Sequence, residues 1–175
     1  MFHIEDLIVY GSNGVCKITD IGYPEGLRDS EKKRYYTLNP LYTTEVIYAP
    51  VDTKVFMRPV LTRQEALDLI SQIPQIEEDS TDPRDRKQVM NRYQASLRSH
   101  DCRDLVQLIK TVYLKNQSAM ERKRVPGQVD QYFLKRAEDL LYGEFAIALG
   151  IARDNVQPFI KDTMESMLCL QQKEA

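Results

Sequence analysis

Between residues 84 and 124 the chain carries eleven arginines and lysines against four acids, inside a protein whose formal net charge is -2. The remainder is neutral to acidic, so a whole-chain pI near 5.8 conceals a local cationic footprint of the kind that meets polyanions. At about 100° per residue, Arg84, Lys87, Asn91 and Arg98 fall in one stripe, with Met90, Tyr93 and Leu97 on the opposite face. Arg103 and Lys110 extend such a stripe onto the next helix, and Arg122, Lys123 and Arg124 add a basic loop. Cations on the exposed side of an anchored helix suit a phosphate backbone, because each neutralised phosphate releases a counterion. Charge alone fits a merely solvated cationic face equally well.

Catalysis needs titratable groups that converge, and the sequence offers few. The two histidines, His3 and His100, fall at a strand start and in a helix-helix connection. No phosphate loop, G-x-S-x-G, H-E-x-x-H or paired-cysteine motif is present. Neighbouring acids such as Glu5-Asp6 and Glu77-Glu78 diverge in a strand or helix. Cys16, Cys102 and Cys169 are far apart, odd in number and without metal-site spacing, which reads as reduced, buried thiols. The chain is therefore read as non-enzymatic, with no cofactor and no metal site.

Two kinds of element must position the cationic segment. Residues 7–10 and 15–21 are apolar, β-branched runs around Gly11-Ser12-Asn13-Gly14, which predicts a tight hairpin with one buried face. A polar loop is expected over residues 23–33, strands over 34–38 and 45–49, and a turn at Asn39-Pro40. Tyr35, Tyr36, Tyr42 and Tyr48 read as half-buried strand residues. These short strands predict a small twisted barrel or sheet.

From Thr62 the apolar period changes from two to 3.6. Thr62-Arg63-Gln64-Glu65 is a capping box, and Ala66, Leu67, Ile70 and Ile73 line the helix that it starts. Pro74 stops that helix, and an acidic spacer follows over residues 76–82. Asp82-Pro83 predicts the start of a second helix to about Ser99, Asp101 that of a third, and Ser118 a further short turn. The longest helix is expected over residues 128–149, ended by Gly150, with a last one from Asp154 or Asn155 through Leu168. The fold class is accordingly α+β, with a β-rich domain at 1–58 and an all-helical domain at 59–175. No apolar run approaches the roughly 18 residues of a membrane span, and acids stand where a signal peptide would be apolar, so a cytoplasmic protein is expected.

The opening F-H-I-E-D-L-I-V-Y-G-S-N-G-V-C-K-I-T-D-I-G, and the string L-K-R-A-E-D-L-L-Y-G-E at residues 134–144, resemble the CarD family of bacterial transcription regulators. The resemblance implies an N-terminal Tudor-like barrel, also found in bacterial transcription-repair coupling factors, that binds the RNA polymerase β subunit by edge-strand pairing. On this chain the matching strand is Glu45, Val46, Ile47, Tyr48 and Ala49, with Tyr48 where some members have arginine. The resemblance further implies a helical domain that holds promoter DNA just upstream of the melted region, with basic residues on phosphates and a tryptophan wedged into the minor groove. This chain has no tryptophan. Aligning the shared Arg-Tyr onto Arg92-Tyr93 puts Val89, or its neighbour Met90, at the wedge, and Gln94 where some members have lysine. The implied DNA-contacting set is Arg84, Lys87, Val89, Met90, Asn91, Arg92 and Arg98. The expected function is to stabilise the open promoter complex. A polymerase-binding or general protein adaptor without DNA contact is the first rival, and a small hydrolase or transferase the second.

Overall fold

The computed structural model describes residues 1–24 and 33–174, with side chains as far as residue 166. Most of the loop expected over 23–33, and the side chains of Leu168 and Cys169, lie outside the described residues. The chain divides into two compact units, Met1–Val60 and Leu61–Ala175, each with its own core.

The first unit is a five-stranded antiparallel sheet of β1 (Leu7–Tyr10), β2 (Val15–Gly22), β3 (Tyr35–Pro40), β4 (Ile47–Pro50) and β5 (Met57–Pro59), in the order β4-β3-β2-β1-β5. Alternation decides which face is buried: Ile8 and Tyr10 on β1, Cys16 and Ile18 on β2, and Tyr36 and Leu38 on β3 share the core with Ala49. The hairpin stands where the glycines predict it. Residues Gly11–Asn13 form a single 3-10 turn, and both Gly11 (φ 47°) and Gly14 (φ 73°) are left-handed. Gly11 has a second constraint, since a Cβ there would lie 3.0 Å from Val55.

Three expectations are corrected. The sheet is open and not a closed barrel: β4 and β5 are its two edges, and they do not pair with each other, as closure would require. Asn39-Pro40 is not a turn, because β3 runs on to pair Pro40 with Cys16, and the Leu41 amide still donates to Val15 O. Glu45 and Val46 precede the edge strand, which begins at Ile47 and ends with Pro50.

The second unit packs five helices, α1 (Arg63–Gln72), α2 (Arg86–Arg98), α3 (Cys102–Glu121), α4 (Gln128–Leu149) and α5 (Val156–Glu174). The capping box of α1 is complete, with the Glu65 amide donating to Thr62 Oγ1 (3.2 Å) and the Thr62 amide to Glu65 Oε2 (2.7 Å). Gly150 closes α4 at φ 68°. Leu108, Val112, Leu141, Phe145 and Val156 are at the centre of the core. Cys102 and Cys16 are buried and unbridged.

The start of α2 differs from expectation. Asp82 Oδ1 accepts from the Arg84 amide (2.9 Å), and the Asp85 amide donates back to Asp82 O. This local turn consumes the Asp82-Pro83 signal one turn early, and Asp85 is the cap, accepting from the Gln88 amide (3.0 Å). Ser118 starts nothing, since it lies inside α3.

Candidate interaction surfaces

Of the edge strand, Ile47 is half-buried and Ala49 fully buried, so neither side chain is free for a partner. Tyr48 and Val46 are each 51% exposed. Tyr42 is exposed too, against the expectation of half-burial for it and Tyr48. In register, Ile47 faces Leu38, Tyr48 Thr37, Ala49 Tyr36 and Pro50 Tyr35. All of that pairing is with β3, and among the described residues no strand covers the other side of β4. The exposed main-chain edge is therefore a ready template for an added strand.

In the helical unit Tyr93 sets the rotation of α2. Its hydroxyl donates to Asp130 Oδ1 (3.0 Å), its ring packs on Phe133 with centroids 5.3 Å apart, and Lys115 Nζ lies 2.8 Å from Asp130 Oδ2. Burial, then the adjacent Asp130 charge, pushes the Tyr93 phenol up. With Tyr93 anchored, Val89 and Leu97 turn inward against the core. Met90, about 100° round from Val89, is 40% exposed. The expected placement of Met90 beside Tyr93 on the buried face is thus corrected, and Val89 takes that place.

Lys87, Asn91 and Arg98 are exposed on the opposite side of α2. Arg98 lies in the last turn, where the helix dipole favours a cation. Arg84 is off the helix, its guanidinium Nε 3.2 Å from Asp82 Oδ1. Arg92 is half-exposed but paired, its Nε donating to Asp79 Oδ2 at 2.7 Å. Burial alone would raise the Asp79 carboxyl; hydrogen bonds from Thr81 and Arg92 outweigh it and hold the group below its usual range.

Arg103, though exposed, and half-buried Lys110 are both engaged within the chain. Arg103 donates to Gln72 Oε1 (2.8 Å), and Lys110 Nζ donates to the carbonyls of Ile73, Pro74 and Ile76, the last at 2.6 Å. Sequence reasoning missed both roles, as well as the Tyr93-Asp130-Lys115 cluster. The one available signal for the cluster was an aspartate at the third position of α4, with apolar Phe133 and Leu134 one turn on from it. The basic loop after α3 is a Schellman turn, with the Arg124 amide on Ala119 O (2.8 Å), the Lys123 amide on Met120 O (2.9 Å) and Lys123 left-handed at φ 55°.

Among the described residues no three His, Cys, Asp or Glu side chains gather as metal ligands, and no helix is long and apolar enough to cross a membrane. Residues 2–61 match the family model of the CarD-like/TRCF RID domain. The match spans the sheet unit and supports a CarD-like, RNA polymerase-interacting role related to transcription. No curated protein matches the chain.

Proposed function

From an N-terminal unit that matches the CarD-like/TRCF RID domain, an interaction domain and not a catalytic one, we propose a regulator that bridges RNA polymerase and promoter DNA. The sheet unit docks on the polymerase β subunit through the edge strand β4 and the two residues that precede it, at residues 45–49. The observation that carries this is the combination of a strand edge that no strand covers among the described residues with exposed Val46 and Tyr48. Main-chain hydrogen bonds supply the affinity, so tyrosine in place of arginine at position 48 is tolerated.

The helical unit holds upstream promoter DNA. Lys87 and Arg98 meet phosphates, Asn91 lies between them, and Met90 is the apolar side chain offered to a base step, with Val89 behind it as its support. Arg84 and Arg92 contribute as cations already balanced by Asp82 and Asp79, and so add less. Binding the open complex more tightly than the closed one moves that equilibrium, and about 1.4 kcal/mol of difference gives about tenfold.

The adaptor reading has one observation in its favour: Arg84, Arg92, Arg103 and Lys110 are committed within the chain, leaving fewer free cations than their number suggests. One experiment tests both readings. Polymerase capture by the full chain, followed by promoter retention across a salt series, gives a steep negative salt slope for a DNA-holding regulator. An adaptor captures polymerase with no salt-dependent gain in promoter retention.

A further inference from the structure

Within the helical unit, α2, the second half of α3 and residues 78–83 enclose an open cleft of about 500 Å3, inside the roughly 300–1,000 Å3 range of small-ligand sites. Pro83, Val89 and Leu114 give it an apolar wall. Arg92 and Lys115 also line it, each balanced by its own carboxylate, Asp79 or Asp130. Arg122 and Arg124 stand apart from these. Both line the cleft and both are exposed, and among the described residues neither side chain has a hydrogen bond or ion pair. The uncompensated acid facing them is Glu78 alone, so the rim has a surplus of positive charge.

The backbone explains why two arginines share one rim. Lys123, left-handed at φ 55°, lies between them and does not line the cleft. The turn's two closing hydrogen bonds hold Arg122 and Arg124 at the cleft on either side of it. A pair of free guanidiniums facing an apolar wall matches a ligand with phosphates at one end and a flat ring at the other. Arginine binds phosphate oxygens in bidentate fashion, and the ring covers apolar surface that bare phosphate would leave wet. A duplex backbone, by contrast, suits the convex stripe of Lys87, Asn91 and Arg98 better than a concave cleft.

We propose that this cleft binds a nucleoside di- or triphosphate, with its phosphates on Arg122 and Arg124 and its base against Pro83, Val89 and Leu114. The test titrates GTP, ATP and sodium tripolyphosphate into the full-length protein by calorimetry at fixed ionic strength. Expected is saturable one-site binding of a nucleotide that weakens by at least about tenfold in Arg122→Glu/Arg124→Glu. Binding is lost in Ser118→Trp, which fills the cleft from an exposed lining position without changing charge. Lys123→Gly keeps the left-handed turn, removes a cation outside the cleft, and retains affinity within about twofold. No nucleotide binding overturns the proposal, as does tripolyphosphate binding as tightly as either nucleotide. A promoter duplex that displaces the nucleotide and itself loses affinity in Ser118→Trp assigns the cleft to nucleic-acid backbone, and overturns the proposal too.

Discussion

The sheet unit and the helical unit present their surfaces in opposite ways. At β4 what is offered outward is main chain: Ala49 is buried, Ile47 half-buried, and among the described residues no strand covers the far edge. On α2 the backbone is satisfied within the helix, and everything offered is side chain, from Lys87, Met90, Asn91 and Arg98. A main-chain surface depends on a hydrophobic pattern and a few turn glycines, which many sequences satisfy. A side-chain surface depends on each residue and on the rotation of the helix that carries it. The contrast accords with a family match that spans residues 2–61, the sheet unit.

The sharpest way to break the comparison is at Tyr48. Tyr48→Pro deletes a strand amide and should abolish polymerase capture, while Tyr48→Ala, at a half-exposed side chain, should leave it within about threefold. Circular dichroism should show the helical content unchanged in both. If the alanine variant loses capture as completely as the proline variant, docking at β4 is a side-chain matter and the two surfaces are alike.

The next effect falls on the helical unit, where the side-chain surface is only as good as its anchor. Tyr93→Phe removes the hydroxyl that donates to buried Asp130, leaving Lys115 as that carboxylate's remaining side-chain partner among the described residues. Urea denaturation should register a loss of about 1–3 kcal/mol. A loss below about 0.5 kcal/mol would mean that ring packing on Phe133 fixes the rotation of α2 without the hydroxyl.

How much of this was legible in the sequence follows from the range of the interactions involved. The hairpin, the Thr62–Glu65 box and the Gly150 stop are local devices, complete within four residues, and each stands where the pattern puts it. The sheet's failure to close is not local. It depends on whether the two edge strands β4 and β5 meet, and a prediction of four or five short strands does not contain that information. The start of α2 departs from the pattern because Asp82-Pro83 and Asp85 are both competent caps three residues apart, and an Asx-type turn on Asp82 decides between them. The committed state of Lys110 required knowing that the chain after α1 brings the carbonyls of Ile73, Pro74 and Ile76 to α3, at sequence separations of 34 to 37. For the candidate DNA surface the stripe of Lys87, Asn91 and Arg98 was visible from periodicity. The inward turn of Val89 was not, because Tyr93's bond to Asp130 spans 37 residues.

A smaller effect is expected from the cations themselves. Lys87→Glu/Arg98→Glu should weaken promoter retention on every sequence alike and reduce the slope of log affinity against log salt by about 2, with stability unchanged within about 0.5 kcal/mol. An unchanged slope returns this face of α2 to simple solvation and favours the adaptor reading.

The smallest effect is the most discriminating, because it separates two adjacent residues that the sequence left as alternatives. Met90 is exposed, so Met90→Trp enlarges an outward apolar surface at little cost to the fold, and should lengthen the life of the open promoter complex if this position meets an unstacked base step. Val89 is half-buried, packing against the core on one side and lining the cleft on the other, so Val89→Trp should crowd the core or fill the cleft, lowering stability by about 1–3 kcal/mol where the indole is forced inward and giving no gain in lifetime on either course. Melting temperature and open-complex lifetime measured on both variants give four numbers and one expected pattern. The reverse pattern, a longer lifetime from Val89→Trp at unchanged melting temperature, would require α2 to rotate by about 100° on DNA. That rotation would pull Tyr93 away from Asp130, and Tyr93→Phe should then increase DNA affinity instead of leaving it alone.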